Sequence, residues 1–259
     1  MFFIIIDWIG INALFRRRRR GQVKCLLYHC ILDNPEGYRD TIATEEFDRH
    51  IAYLKSKYNF LTLKQNGVIE GYSRDRVNLL VTFDDGFLNN YEKAFPILQK
   101  HGVTAAFFVI SDSIQSGRPP SFAHYNFPSP LPMMNVDHAK EMIKAGQCIG
   151  SHSTNHDDFS KLEKGVGRED ALKSKAELKH LLSVPIENFA FPFGKFRPEQ
   201  LKKVQLIYKN VFLTEHGFSK PQMGVFLRNE VENYYHLKAA ASGSLDFFKY
   251  LKNQDYSRL

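Results

Sequence analysis

The stretch NLLVTFDDGF, residues 78–87, places a mostly apolar run in front of two adjacent carboxylates, Asp84 and Asp85, and a glycine. A short continuous apolar run reads as a strand buried on both faces, as in a parallel sheet. Neighbouring carboxylates repel, and burying both is costly unless positive charge lies close by. Gly86 allows the chain to turn away after them. The fold and the chemistry therefore both depend on what meets the end of this strand.

Outward from it, strand-like and helix-like segments alternate. VKCLL (23–27), VTAAFFVI (103–110), QCIGSH (147–152), NFAFPF (188–193, broken at Pro192), NVFLT (210–214) and VFLRNEV (225–231) read as strands. TEEFDRHIAYLKSKY spaces Phe47, Ile51, Leu54 and Tyr58 at helical intervals, with Thr44 as the expected N-cap. The segment carrying Tyr91, Phe95 and Leu98 reads as a helix ending near Gly102, and further helices are expected from Asn135 to Gly146, over REDALKSKAELKHLL and from Pro198. Residues 111–134, rich in Ser, Pro and Gly, read as a long loop whose Phe122, Tyr125 and Phe127 could meet a ligand or pack beneath it. This alternation predicts one α/β domain over residues 23–259, with a mainly parallel sheet that is either a barrel or partly open. In such folds chemistry gathers at the carboxyl ends of strands. Asp84, Asp85, His29, His152 and Phe193 all fall there and could share one cavity.

The 259 residues are 43% hydrophobic and 24% charged, ordinary values for a globular chain with a sizeable core. The net charge of +7 includes a run of five arginines at 16–20, and no nucleic-acid motif accompanies it, so nucleic acid is not an expected partner. Three cysteines without a Cys-x-x-Cys pair read as reduced thiols, with Cys25 and Cys148 as core filler. The N-terminal segment 1–22 begins MFFIIIDWIGINALFRRRRR. Its apolar part is short for a spanning helix, and its charge follows the apolar part, the reverse of a secretory signal, so no cleavable signal peptide is read. Two readings stand: an amphipathic helix on anionic lipid through residues 1–20, or a helix packed on the domain with a basic exposed end.

SHSTNHDD places His152 and His156 four apart. On a helical turn this spacing would put both imidazoles on one face, ready to hold Zn²⁺ or a similar ion with a carboxylate as third ligand. The bland alternative is a pair that caps a helix or sits in solvent. The pair lacks the glutamate of a His-Glu-x-x-His protease site, so any base must come from elsewhere. One of the two aspartates could ligate the ion while its neighbour accepts a proton.

TFDDG followed by SHSTNH resembles the polysaccharide deacetylases, the NodB-homology group. FAFPFGKF resembles a third motif of that family, and LLYH resembles the Tyr-His opening of the branch that includes deacetylases of biofilm polysaccharides. The similarity runs from about Lys24 to the C-terminal region. The resemblance implies an α/β fold, a distorted (β/α) barrel of about seven strands. It also implies Asp84 as general base, Asp85, His152 and His156 as metal ligands, and Pro192 with the Phe193 backbone N–H as the wall and oxyanion contact. Two departures stand out. Ala190 occupies the place of the arginine that orients the base, with Arg228 as a candidate replacement. The late Leu-x-His motif is missing, and His216 and His236 have the wrong context. His29 lies at a strand end where the resembled Tyr-His branch uses a histidine, so the resemblance implies it as general acid, the alternative being a core histidine.

The expected activity is removal of N-acetyl groups from amino sugars of a polysaccharide, oligosaccharide or glycan precursor. The expected cofactor is one divalent ion, Zn²⁺ first, with Co²⁺ or another first-row ion as alternatives. Two further readings are a hydrolase of a non-sugar amide and a catalytically impaired sugar-binding member of the family. The expected location is the cytoplasm or the cytoplasmic membrane surface.

Overall fold

The computed structural model describes residues 10–121, 129–220 and 224–245. Seven parallel strands close into a barrel: β1 (Val23–Tyr28), β2 (Asn78–Phe83), β3 (Ala106–Val109), β4 (Cys148–Ser151), β5 (Asn188–Ala190), β6 (Asn210–Leu213) and β7 (Val225–Glu230). Each strand pairs with the next, and β1 closes the ring by pairing with both β2 and β7. Closure leaves no long free edge, which is why continuous apolar runs such as NLLVTF are fully buried.

The two-residue period of a strand divides the barrel's side chains. Inward-facing Cys25, Leu80, Ala106, Phe108, Cys148, Ala190, Phe212 and Phe226 form the interior cluster. Their outward neighbours, among them Leu26, Leu79, Val81, Phe83, Phe107, Ile149, Phe189 and Val211, pack under the helices in a larger cluster. Stacked rings of Tyr28, Phe83 and Phe107, with centroids 5.5 and 4.8 Å apart, tie β1, β2 and β3 together on that outer side. The amino ends of the strands are plugged by a short hairpin, Thr62–Leu63 with Ile69–Glu70. There the Gln65 amide acts as a surrogate strand, accepting from Ile149 N (2.9 Å) and donating to its carbonyl (2.7 Å).

The outer helices are α1 (Ile11–Arg18), α2 (Thr44–Lys57), α3 (Phe95–His101), α4 (Ser111–Ser116), α5 (Val136–Lys144), α6 (Val166–Leu182), α7 (Pro198–Gln205) and α8 (Tyr234–Ser242). Asn135 caps α5, accepting from His138 N while His138 Nδ1 accepts from the Asn135 N–H. Gly102 ends α3 in the left-handed region, and a π turn over Asn90–Ala94 leads into it. Two expectations change. The N-cap of α2 is Ala43, because Thr44 is already helical and its hydroxyl donates to Asp33 instead. Residues 111–134 are not wholly loop: α4 forms their start, with its N–H groups tied to the 153–154 carbonyls. Phe122, Tyr125 and Phe127 lie outside the described residues.

The N-terminal segment joins the body of the molecule through α1. Its Asn12 is buried and accepts hydrogen bonds from Ser242 and Ser244. Arg16 lies over the Tyr58 ring and Arg19 over Phe218. Residues 1–9 lie outside the described residues. No described helix is long and apolar enough to cross a membrane.

Gly150, on the inner face of β4, shows how tightly the barrel is filled. A Cβ there would lie 2.6 Å from the Phe108 ring and 2.9 Å from the Asn188 carbonyl. Neither neighbour can yield, so Gly150→Ala is expected to cost about 1–3 kcal/mol as an overpacked core position. A denaturant melt of the two proteins measures it.

Candidate metal centre and catalytic cleft

A cleft of about 300 Å³ opens at the carboxyl ends of the strands, lined by His29, Asp84, Asp85, His152, His156 and Phe193 among others. These residues, distant in sequence, are brought together as the strand-end argument anticipates. Extended backbone would point Asp84 and Asp85 to opposite faces. Asp84 continues the inward parity of Leu80 and Thr82, and its N–H donates to the Tyr28 carbonyl at 3.1 Å. Asp85 then adopts φ 72° and Gly86 φ 81°, and this left-handed turn brings the second carboxylate back to the same cleft. A Cβ on Gly86 would also press on Val109 at 3.1–3.2 Å.

His152 follows β4, and His156 reaches it through a loop rather than on a helical turn. Ser153 (φ 67°) and His156 (φ 64°) are left-handed, and the His156 N–H donates to Ser153 Oγ. The helical-face argument for the pair is thus corrected: the loop, not a helix, sets the rings 4.8 Å apart. His152 Nδ1 lies 2.8 Å from the Ala190 carbonyl, which can only accept, so the proton sits on Nδ1 and Nε2 carries the lone pair. Asp85 Oδ1 is buried without a well-aligned hydrogen bond, 3.2 Å from His156 Nε2 and 3.5 Å from His152 Nε2. One donor atom from each of the three residues lies within 4.8 Å of the others.

The charge states suit a cation. Burial holds the His152 imidazole down at about 4, so it is neutral at pH 7. Burial alone would raise Asp85, but the adjoining His156, with His29 and His152, outweighs it and holds the carboxyl at about 2. An ionised carboxylate and a neutral imidazole are the forms that bind metal. The donor set and the buried carboxylate oxygen therefore fit a divalent ion.

Asp84 is held differently. Arg228, fully buried on β7, makes a two-pronged ion pair with it: Nη1 to Oδ1 at 2.6 Å and Nη2 to Oδ2 at 2.8 Å. Thr82 and Thr214 flank the guanidinium, and the Phe108 ring lies beneath it. Burial would raise the Asp84 pKa, but Arg228 and then His152 outweigh it, and the carboxyl lies below its ordinary value. The sequence-level candidate for the place vacated at Ala190 thus sits directly on Asp84. Ala190 itself belongs to the interior cluster and uses only its carbonyl on His152.

His29 stands across the cleft with Nδ1 3.6 Å from Glu230 Oε1. Burial lowers its pKa, yet Asp85, Asp84, Glu230 and Asp40 together outweigh burial, and the net shift is upward. Phe193 and Gly194 line the opposite wall, whereas Pro192, buried at the start of the same turn, is not among the lining residues. Phe193 has φ 56°, is 48% exposed and sets its ring edge-on to His156 at 4.4 Å. His216 and His236 do not line the cleft. Glu230, Asp40, Lys195 and Thr214 do, and none was singled out from sequence. Glu230 had a readable signal, since it lies two residues beyond Arg228 on one face of a strand. Asp40 had none.

Residues 72–209, more than half of the chain, match the polysaccharide deacetylase family, and the chain belongs to it. A Bacillus subtilis protein, YxkH, named provisionally as a polysaccharide deacetylase, is 24% identical over 237 residues, covering 90% of this chain and 79% of that one. The poly-β-1,6-N-acetyl-D-glucosamine N-deacetylase of Staphylococcus aureus is 27% identical over 182 residues, 65% of this chain and 60% of that one. Among solved structures, IcaB from Ammonifex degensii superposes with a TM-score of 0.71 at 25% identity, covering 86% of this chain and 97% of that one.

Removing one partner of a buried pair leaves an uncompensated charge, so Arg228→Met is expected to cost about 3–5 kcal/mol at neutral pH. Adding Asp84→Asn should recover part of that loss. The sign with pH follows from linkage. In the parent, the depressed Asp84 contributes stability that is present above the unfolded carboxylate value of about 4 and is lost as pH falls through the lower folded one. In Arg228→Met that contribution is absent, so the stability gap between the two proteins should narrow in acid. Unfolding midpoints of the metal-stripped chains across pH measure this.

Proposed function

We propose that the chain hydrolyses the N-acetyl group of N-acetylglucosamine units in a polysaccharide or its oligosaccharides. The observation that carries this reading is one cleft holding two adjacent aspartates in different environments. Asp85 faces two histidines, and Asp84 faces a buried arginine. A divalent ion, Zn²⁺ or another first-row ion such as Co²⁺, held by Asp85, His152 and His156 would supply Lewis acidity and lower the pKa of a water.

The remaining roles belong to the chain. Asp84 accepts a proton from the attacking water. Its low pKa makes it a modest base, but Arg228 keeps it ionised and fixes its direction, and each carboxylate oxygen retains a second lone pair for the water. His29 carries a proton for the departing amine, which cannot leave as an anion. The surrounding carboxylates favour that protonated form. The Phe193 backbone N–H is assigned to the developing oxyanion, and the Pro192–Phe193 turn to the wall beside it. The reading as a catalytically impaired member rested on Ala190 and on the missing late histidine. Arg228 on Asp84 argues against the first ground, and His29 in the cleft argues against the second. Likeness to a deacetylase of a β-1,6-linked N-acetylglucosamine polymer supports the sugar over another amide.

Acetate release from β-1,6-linked N-acetylglucosamine oligomers is the direct test. Turnover should vanish on chelation and return with Zn²⁺ or Co²⁺. Turnover of a non-sugar amide without acetate from the oligomers would reverse the substrate assignment. Asp84→Asn should keep the metal and lose about 10²–10⁴-fold in kcat, whereas Asp85→Ala should lose the metal. Equal metal content in both variants would refute the division of labour.

For His29 the decisive reading is the pH–rate profile. Activity should fall as pH rises through the His29 pKa, above the ordinary imidazole value of about 6.5. His29→Ala should abolish that basic limb.

A further inference from the structure

The cleft occupies the carboxyl ends of the strands, and the opposite end of the barrel has its own character. α1 delivers the arginine run to that end. Arg16 and Arg19 are spent on rings of the domain, while Arg17, Arg18 and Arg20 are exposed. The next residue, Gly21, donates to the Arg76 carbonyl at 2.9 Å and accepts from Tyr72 Oη at 2.5 Å. A Cβ on it would lie 3.4 Å from the Arg74 carbonyl oxygen. Val23 bridges to Ser219, which places Lys220 at the same end. Arg74, Arg76 and Lys220 are also exposed. None of these six cations is held in an ion pair among the described residues. The acids at this end include the exposed Asp75 and, on the hairpin, Glu70, which pairs with Lys64 at 3.2 Å.

Apolar surface accompanies the charge. Of the large apolar side chains exposed among the described residues, Leu14 (49%), Val68 (47%) and Tyr72 (50%) lie here: on α1, in the hairpin that plugs the barrel and beside Gly21. Residues 1–9, outside the described set, precede α1 in sequence and include Phe2, Phe3, Ile4, Ile5, Ile6, Trp8 and Ile9, with one acid, Asp7. Unpaired cations with exposed apolar groups among them suit a surface that offers both negative headgroups and hydrocarbon. A bilayer offers both, whereas nucleic acid offers only the first.

We propose that the amino-terminal end of the barrel, together with the arginine run, is a docking face for an anionic lipid bilayer. The face includes Arg74 and Arg76 as well as the N-terminal helix. Its position sets the orientation of the molecule. Strands of six residues span about 20 Å, so the cleft opens on the side facing away from the lipid.

Flotation of the full chain with phosphatidylcholine vesicles, with and without phosphatidylglycerol, tests the proposal. The chain should float only with the anionic vesicles. It should be released as salt rises from about 0.1 M to 1 M, which shortens the screening length from about 10 Å to 3 Å. Arg17→Glu/Arg18→Glu/Arg20→Glu should weaken partition at least tenfold, and Arg74→Glu/Arg76→Glu should weaken it measurably. Both variants should stay folded, with the parent's circular-dichroism spectrum, since these side chains make no ion pair among the described residues. Reversing charge in the last turn of α1 costs a small amount of helix stability. Equal flotation with neutral and anionic vesicles would overturn the proposal, as would parental flotation of either variant. Binding to duplex DNA in place of vesicles would also overturn it and make the face a nucleic-acid site.

Discussion

The pairing of Asp84 with Arg228 is the interaction on which the interior of the barrel turns. A carboxylate and a guanidinium withdrawn from water each carry a desolvation penalty of several kcal/mol, and only good geometry offsets it. Here both carboxylate oxygens meet both terminal guanidinium nitrogens. The planar fork of arginine permits this match, and a lysine could not reproduce it. Arg228 fills the space above the Phe108 ring, flanked by two threonine hydroxyls. The pair is therefore part of the core and part of the cleft at once. Ala190 contributes by being small: its side chain joins the apolar interior while β7 supplies the cation.

Around this pair the backbone is bent where it is least willing to bend. Asp40, Asp85, Ser153, His156 and Phe193 have positive φ, and of the described non-glycine residues only Ser183, at the end of α6, joins them. Such positions cost of order 1–3 kcal/mol each and persist when packing and hydrogen bonds over-determine them. At Asp85 the bend turns a carboxylate that strand parity would send outward back toward the imidazoles. In the 152–156 loop it sets two histidine rings in edge-to-face contact. A closed barrel with a filled interior is rigid enough to hold these conformations, and Gly150 beneath Phe108 shows how little slack that interior has.

The two carboxylates also illustrate how neighbours acquire different properties. Asp84 and Asp85 share burial and strand end, yet one faces a fixed cation and the other faces two imidazoles. The guanidinium cannot give up its proton, so Asp84 stays ionised whether or not a metal is present. Asp85 instead lies beside the imidazoles of His152 and His156. Under the proposed function, proton acceptance and metal ligation are thereby separated across one peptide bond.

Much of this was legible in the chain itself. Buried strands, helix spacings, the Pro198 and Asn135 helix starts and the Asp–Asp–Gly strand end are local features, written in neighbouring residues by the two- and 3.6-residue periods. Two histidines and a carboxylate also make a metal site a candidate, because their donor atoms are a property of residue type. What the sequence could not decide was who stands opposite whom. Arg228 is 144 residues from Asp84, and Glu230 reaches His29 only because β1 closes the barrel against β7. The path between His152 and His156 likewise depended on left-handed backbone that four-residue spacing cannot reveal. Periodicity determines which way a side chain faces along its own strand. Closure and register of the barrel determine which charge it meets, because those contacts are long-range and exist only once the ring is complete.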